Sequence, residues 1–181
     1  SDEVLHMADM IVAAHPNNIK ATTARADVLY NSGRKKDAQA EYEKAISLSD
    51  TVPSTVRIQS YILDVELEDY DHLIAATKKG MAQNPKDVFG YFYNAIANQQ
   101  KKNYKDASDA LGKAFVLQQD NADDISKISP QLKLQMLIAL GDVNFEMKNY
   151  ERSDSAYEAA LEIDPNNPDN TICPALCDFD E

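Results

Sequence analysis

Tryptophan is absent from the 181 residues, and glycine and proline are scarce, with five and seven copies. Loop-rich all-β folds draw heavily on those two residues for their turns, so this composition argues against that class. Cysteine occurs twice, as Cys173 and Cys177, both within the last nine residues. No disulfide framework can therefore hold the rest of the chain together. Positive charge is the other shortage: 18 Lys and Arg face 30 Asp and Glu, a net charge of −12. That balance repels phosphate and argues against nucleic acid or an anionic membrane surface as partners. Long apolar runs are missing too. The longest uncharged stretch, Val88–Gln100, has 13 residues and includes Gly90, Asn94 and Asn98, whereas a membrane span needs roughly 18 or more apolar residues. What is present is ordinary for a globular protein, 44% apolar and 27% charged residues, in a chain long enough to bury a core. The opening SDEVLHMADM has neither the basic start nor the apolar core of a signal peptide, and no cellular compartment can be read from it.

Sliding the sequence against itself shows its organisation. Segments 33–50, 103–120 and 149–167 echo one another, with a looser copy at 69–87. Each carries apolar residues at i, i+3/i+4 and i+7 over about 14 positions, one face of a helix. A second helical segment precedes each copy, at 19–32, 53–67, 87–101 and 130–147. Asn103 and Asn149 suit helix N-caps, and Ser129 before Pro130 is a cap with proline in the first turn. The chain reads as repeated helix pairs with a period near 34 residues.

This period, with small residues at fixed offsets, resembles the tetratricopeptide repeat family. The resemblance places repeats at about 19–52, 54–87, 88–121 and 134–167. Where the two helices of a repeat, A and B, cross, the family needs small residues. Here they are Ala26, Ala95 and Gly141 in helix A, and Ala38, Ala107, Ser153, Ala45, Gly80, Ala114 and Ala160 in helix B. Tyr42, Leu111 and Tyr157 stand at the bulky packing position, and Pro85 and Pro165 close two repeats. The second repeat departs from the pattern, with Tyr61 and Leu73 where small residues belong, so its helices are expected to splay or shift. About a dozen extra residues between Gln119 and Leu132 imply a longer helix beside that junction and a kink in the superhelix.

The expected fold is thus all-α, a right-handed superhelical solenoid of antiparallel helix pairs. Domain 1–167 comprises the four repeats and a partial repeat 1–17, read as an orphan N-terminal helix B; an irregular acidic tail covers 168–181. Both ends read as cuts through a longer solenoid.

Catalytic chemistry finds little support. His6, His15 and His72 are scattered without metal-ligand spacing, and no HExxH, P-loop, GxGxxG or GxSxG is present. Carboxylate pairs such as Glu66/Glu68 and Asp123/Asp124 are expected among 30 acids. The C-x₃-C of Cys173 and Cys177 lacks two further ligands for a metal; free thiols or a local or intermolecular disulfide fit it better. The sequence points to a non-enzymatic protein with no cofactor and no metal.

What remains is surface. The resemblance implies that helices A line a concave face, which places Tyr30, Ile58, Ile62, Phe89, Phe92, Ile96, Ile138 and Phe145 on it as candidate partner-binding residues. The Lys, Arg and Asn clamp by which some relatives hold a terminal carboxylate is missing, with Lys20 and Asn31 alone available. The expected function is a protein–protein interaction scaffold holding an apolar or amphipathic peptide segment of a protein partner. The alternative is a structural self-association module with no separate ligand, such as a homodimer through the N-terminal helix.

Overall fold

A computed structural model describes residues 2–120 and 129–166. The predicted tail 168–181, with Cys173 and Cys177, and most of the insertion lie outside the described residues, as does the expected kink. Among the described residues there are nine α-helices and no strand: α1 (Asp2–Ala14), α2 (Ile19–Asn31), α3 (Lys35–Ser47), α4 (Ser54–Glu66), α5 (Tyr70–Gln83), α6 (Val88–Gln100), α7 (Tyr104–Asp120), α8 (Pro130–Glu146) and α9 (Tyr150–Ile163). The chain divides into two compact units, Ser1–Gly90 and Tyr91–Glu181.

Local chemistry sets the helix starts. Asn18 accepts a hydrogen bond from the Ala21 N–H at 3.1 Å, and Ser129 accepts from Leu132 at 3.2 Å, which satisfies donors that the first helical turn leaves open. Asp69 does the same for His72 at 3.4 Å, and Asp87 takes the amides of Phe89 and Gly90 at the start of α6. One expected cap differs: Asn149 occupies the cap position of α9 without a side-chain capping bond. At the start of α7 the Asn103 carbonyl accepts from the Ala107 N–H at 3.0 Å, and its side-chain amide donates back to Asn98 Oδ1 at 3.3 Å.

The turn between helices A and B is the same four times over. Gly33, Glu68, Lys102 and Lys148 all adopt left-handed backbone, with φ of 77°, 54°, 62° and 60°. In each turn the next residue's N–H reaches back to the preceding helix: Arg34 to Leu29, Asp69 to Asp64, Asn103 to Asn98 and Asn149 to Asn144, at 2.8–2.9 Å. This is the Schellman arrangement that closes a helix and turns the chain back. The same turn thus joins α4 to α5 and α6 to α7 as it joins α2 to α3 and α8 to α9. The interval from Lys102 to Lys148 exceeds the other two by the inserted dozen residues. The length is taken up partly in α7 and α8, which have 17 residues each where the others have 13 or 14.

Packing follows the small residues. Ala26, Ala38, Ala45, Ala95, Ala107, Ala114, Ser153 and Ala160 are at most 1% exposed, so the helices meet closely at these points. In the first unit Ala26, Leu29, Ala38, Tyr42, Ala45, Val56 and Leu63 form one core, with Leu5 and Tyr30 packed at its edge. In the second, Leu134, Leu137 and Ala160 are joined by Phe115, Ile138 and Ile163. A Cβ on Gly141 would lie 2.6–2.8 Å from Tyr157 ring atoms; the glycine makes room for the tyrosine. Ser153, at a small position, donates to the Gly141 carbonyl at 2.9 Å and ties α9 to α8.

The second repeat solves its steric problem by exchange. Tyr61 and Leu73, both buried, replace small residues, and the Tyr61 hydroxyl occupies the space a Gly80 side chain would need. α4 and α5 approach each other less closely along their backbones than α2 and α3 do.

Candidate functional site

In the first unit, α2 and α4 present the A-helix face. Ile62 is 41% exposed, Tyr30 and Ile58 are half-buried, and Asp27 and Gln59 complete the surface. Tyr30, Ile62, Asp27, Asn31, Gln59 and Tyr42 line an open pocket of about 340 Å³. The Tyr42 hydroxyl donates to Asp27 Oδ1 across the helix pair. Burial and this carboxylate together push the Tyr42 phenol well above its ordinary value. Beside the pocket, the Tyr30 hydroxyl donates to Glu66 Oε1 at 2.7 Å, and Lys35 Nζ lies 2.8 Å from Glu66 Oε2. The lysine and the phenol hold the Glu66 carboxyl below its usual range, and Glu66 in turn raises Lys35 and Tyr30.

The second unit repeats the arrangement. Asp142, Phe145, Glu146 and Tyr157 join Gln99, Gln100, Lys102 and Tyr104 around an open pocket of about 490 Å³. The Tyr157 hydroxyl donates to Asp142 Oδ1 at 2.5 Å. Phe145 packs against the Tyr150 ring, with centroids 5.8 Å apart. Slight burial, the Glu146 charge and a hydrogen bond to Glu146 raise the Tyr104 phenol. Ile96 and Ile138 are half-buried, Ile138 against the core.

Phe92 corrects the sequence expectation. It is 6% exposed, edge-on to Tyr93 at 5.3 Å, and belongs to the interior rather than to a binding face. Phe89 is half-buried. Tyr30 and Ile62 come together in one pocket and Phe145 lines the other. The Tyr–Asp pairs were not foreseen, although a signal for them was present. Asp27 and Asp142 both stand ninth in their repeats, and Tyr42 and Tyr157 both stand twenty-fourth.

A third cavity, about 150 Å³, lies among α3, α4 and α5, lined by Arg57, Ser60, Tyr61 and His72. Next to it, Asp64 is fully buried and accepts hydrogen bonds from Gln39 at 2.7 Å and from His72 Nδ1 at 2.8 Å. Burial raises the Asp64 carboxyl despite these bonds. For His72 burial acts downward, but the Asp64 hydrogen bond and the charges of Asp64, Glu43 and Asp69 outweigh it, so its pKa is raised. Among the described residues no group of three His, Cys, Asp or Glu side chains gathers as metal ligands, and no helix is long and apolar enough to cross a membrane.

Repeated helix pairs joined by one recurring turn, with pocketed A-helix faces, define an all-α helical-repeat protein. The tetratricopeptide repeat profile matches residues 19–51 and 134–167, the two repeats that carry the Tyr–Asp pairs. These two segments are tetratricopeptide repeats, and the chain is similar to proteins of that family. Solved structures share the fold. A MamA fragment from Desulfovibrio magneticus RS-1 is 14% identical, with a TM-score of 0.70 over 92% of this chain and 87% of that one. YrrB, described as a tetratricopeptide repeat protein with an unusual peptide-binding site, is 13% identical, with a TM-score of 0.72 over 97% and 85%. A tetratricopeptide repeat protein from Parabacteroides merdae ATCC 43184 is 17% identical, with a TM-score of 0.68 over 90% and 59%. No curated protein matches the sequence.

Proposed function

We propose that the chain binds an apolar or amphipathic segment of a partner protein on its A-helix faces, and that it performs no catalysis. The observation that carries this reading is Ile62, 41% exposed beside Tyr30 at the mouth of a pocket in the first unit. Apolar side chains placed this way gain from a partner that removes them from water. The likeness to YrrB, a protein with a peptide-binding site, agrees with it. The net charge of −12 favours partners with basic residues beside the apolar ones. The test is a set of labelled amphipathic peptides titrated by fluorescence anisotropy against the wild type and an Ile62→Ser variant. Ile62→Ser should weaken binding severalfold and change stability by less than about 0.5 kcal/mol, as exposed substitutions do. Binding that is unaffected by the change refutes the assignment.

A second reading rests on α1. Val4, Met7, Met10 and Ile11 are 48–61% exposed along one side of this helix, and a second copy of the chain could cover them in a symmetric dimer. Ala8 and Val12 are buried and Leu5 packs on the core, so none of the three is available for the contact.

A further inference from the structure

In the first unit many acids outside the pocket already have a cation. Lys35 pairs with Glu66, Arg25 with Asp9 and Glu41, Lys36 with Asp69, and Arg34 with Asp37. Asp27 and Asp142 are different: each is half-buried in its pocket and bonded to a neutral tyrosine. Among the described residues neither forms an ion pair with Lys, Arg or His. An ionised carboxylate accepts about four hydrogen bonds, and the tyrosine supplies one.

From this geometry we infer that each pocket receives a basic side chain, lysine or arginine, of the bound segment. The inference rests on the reading of the A-helix faces as peptide-binding surfaces and names what they select. In the first unit Asp27 meets the charged head, the faces of Tyr30 and Tyr42 stand beside it, and Ile62 covers the aliphatic stem. In the second, Asp142 has the same place, with Phe145, Tyr104 and Tyr157 as the aromatic walls. Side-chain carbonyls of Gln59 in one pocket and Gln99 or Gln100 in the other can accept from a guanidinium. At about 340 and 490 Å³ both cavities fall in the size range of small-ligand sites, roughly 300–1,000 Å³. Lys102 lies at the rim of the second pocket, so the first should discriminate more strongly.

Recurrence supports the assignment. Asp and Tyr occupy the same two registers in the first and fourth repeats, whereas the second repeat has Ile62 and Thr77 there and the third has Ile96 and Leu111. In the third repeat Leu111, with no hydroxyl to satisfy, is buried, and Ile96 stands at the other register. A carboxylate is what a cation requires.

The test uses the full chain and capped amphipathic peptides built of leucine and alanine, each with one central lysine, norleucine or glutamate. Norleucine keeps the stem and removes the charge. Anisotropy should show the lysine peptide binding about 1.5- to fivefold tighter than norleucine, the range of an exposed ion pair, and the glutamate peptide weakest. Methyl resonances of Ile62 should move on addition of the lysine peptide. Asp27→Asn, which still accepts from Tyr42, should abolish the preference at the first pocket, and combining it with Asp142→Asn and Glu146→Gln, which neutralise both carboxylates of the second, should abolish it throughout. Raising NaCl from 0.05 to 0.5 M should erase the preference in the wild type and needs no variant. Equal binding of lysine and norleucine peptides, with Ile62 perturbed by both, overturns the basic-residue selection and leaves the scaffold reading standing. A lysine preference that survives the triple variant also overturns it. No perturbation of Ile62 by any peptide at millimolar concentration overturns both.

Discussion

A backbone turned into the left-handed region costs an L-residue roughly 1–2 kcal/mol, and three of the four A–B turns bear that cost, at Glu68, Lys102 and Lys148. Only Gly33 avoids it, with φ of 77°. Lys148→Gly should therefore raise stability by up to about 1 kcal/mol, and Gly33→Ala should lower it by about 1 kcal/mol, in thermal melts. Gly141→Ala works through contact instead: its new Cβ meets the Tyr157 ring, an overpacking worth about 1–3 kcal/mol. The turns were not legible in the sequence because Glu and Lys carry no signal for positive φ, whereas the small crossing residues were legible from their spacing. His72 adds a pH dependence. Its folded pKa lies above the unfolded value, so its contribution is complete below about pH 6.5 and is lost as pH rises through the folded pKa. Asp64, also raised, acts in the same direction from about pH 4 upward. The melting temperature should fall between pH 6 and the folded pKa of His72, and His72→Gln should flatten that slope. An unchanged slope removes the imidazole as its source.

At the scale of the element, α1 and α6 show what helical periodicity can and cannot specify. Both were placed by their apolar pattern, yet a helix that is apolar nearly all round does not announce which side it buries. In α1 the buried side is Ala8 and Val12, leaving Val4, Met7, Met10 and Ile11 outside. If a second copy covers them, Met7→Ser with Ile11→Ser should convert a concentration-dependent dimer to a monomer of unchanged helicity, as read by light scattering and circular dichroism. A wild-type chain that is monomeric at all concentrations eliminates the dimer. In α6 Phe92 is interior, so Phe92→Ala should cost about 3–5 kcal/mol, where a groove residue would cost less than 1. The A-helix register inherited from the family resemblance puts Tyr30 and Ile62 beside a pocket, but Phe92 at the same face is interior. Register fixes a position around the helix, but exposure depends on what the neighbouring helices cover.

For the whole molecule, stability should be uneven, because in stacked repeats each one is held mainly by its neighbours and cooperativity is limited by those interfaces. The repeat at 54–87 is the weakest link on three counts. Tyr61 and Leu73 replace small crossing residues, α4 and α5 approach each other less closely than α2 and α3, and the interior includes Arg57, Ser60, Asp64 and Thr77. Buried polar groups cost free energy on desolvation that only good hydrogen bonds recover. Asp64 obtains such bonds from Gln39 and His72, and Thr77 donates to the Leu73 carbonyl at 2.7 Å. These bonds keep the repeat folded without giving it the apolar burial of its predecessor, whose core joins Ala26, Leu29, Tyr42 and Ala45. Native-state hydrogen exchange should accordingly show amides of α4 and α5 opening at lower free energy than those of α2 and α3. Asp64→Asn, which weakens the His72 bond, should widen the difference, with its largest effect on α4 and α5. Equal protection in the two helix pairs, falling equally in the variant, means that the first unit opens as one cooperative body and that the weak-repeat account is wrong.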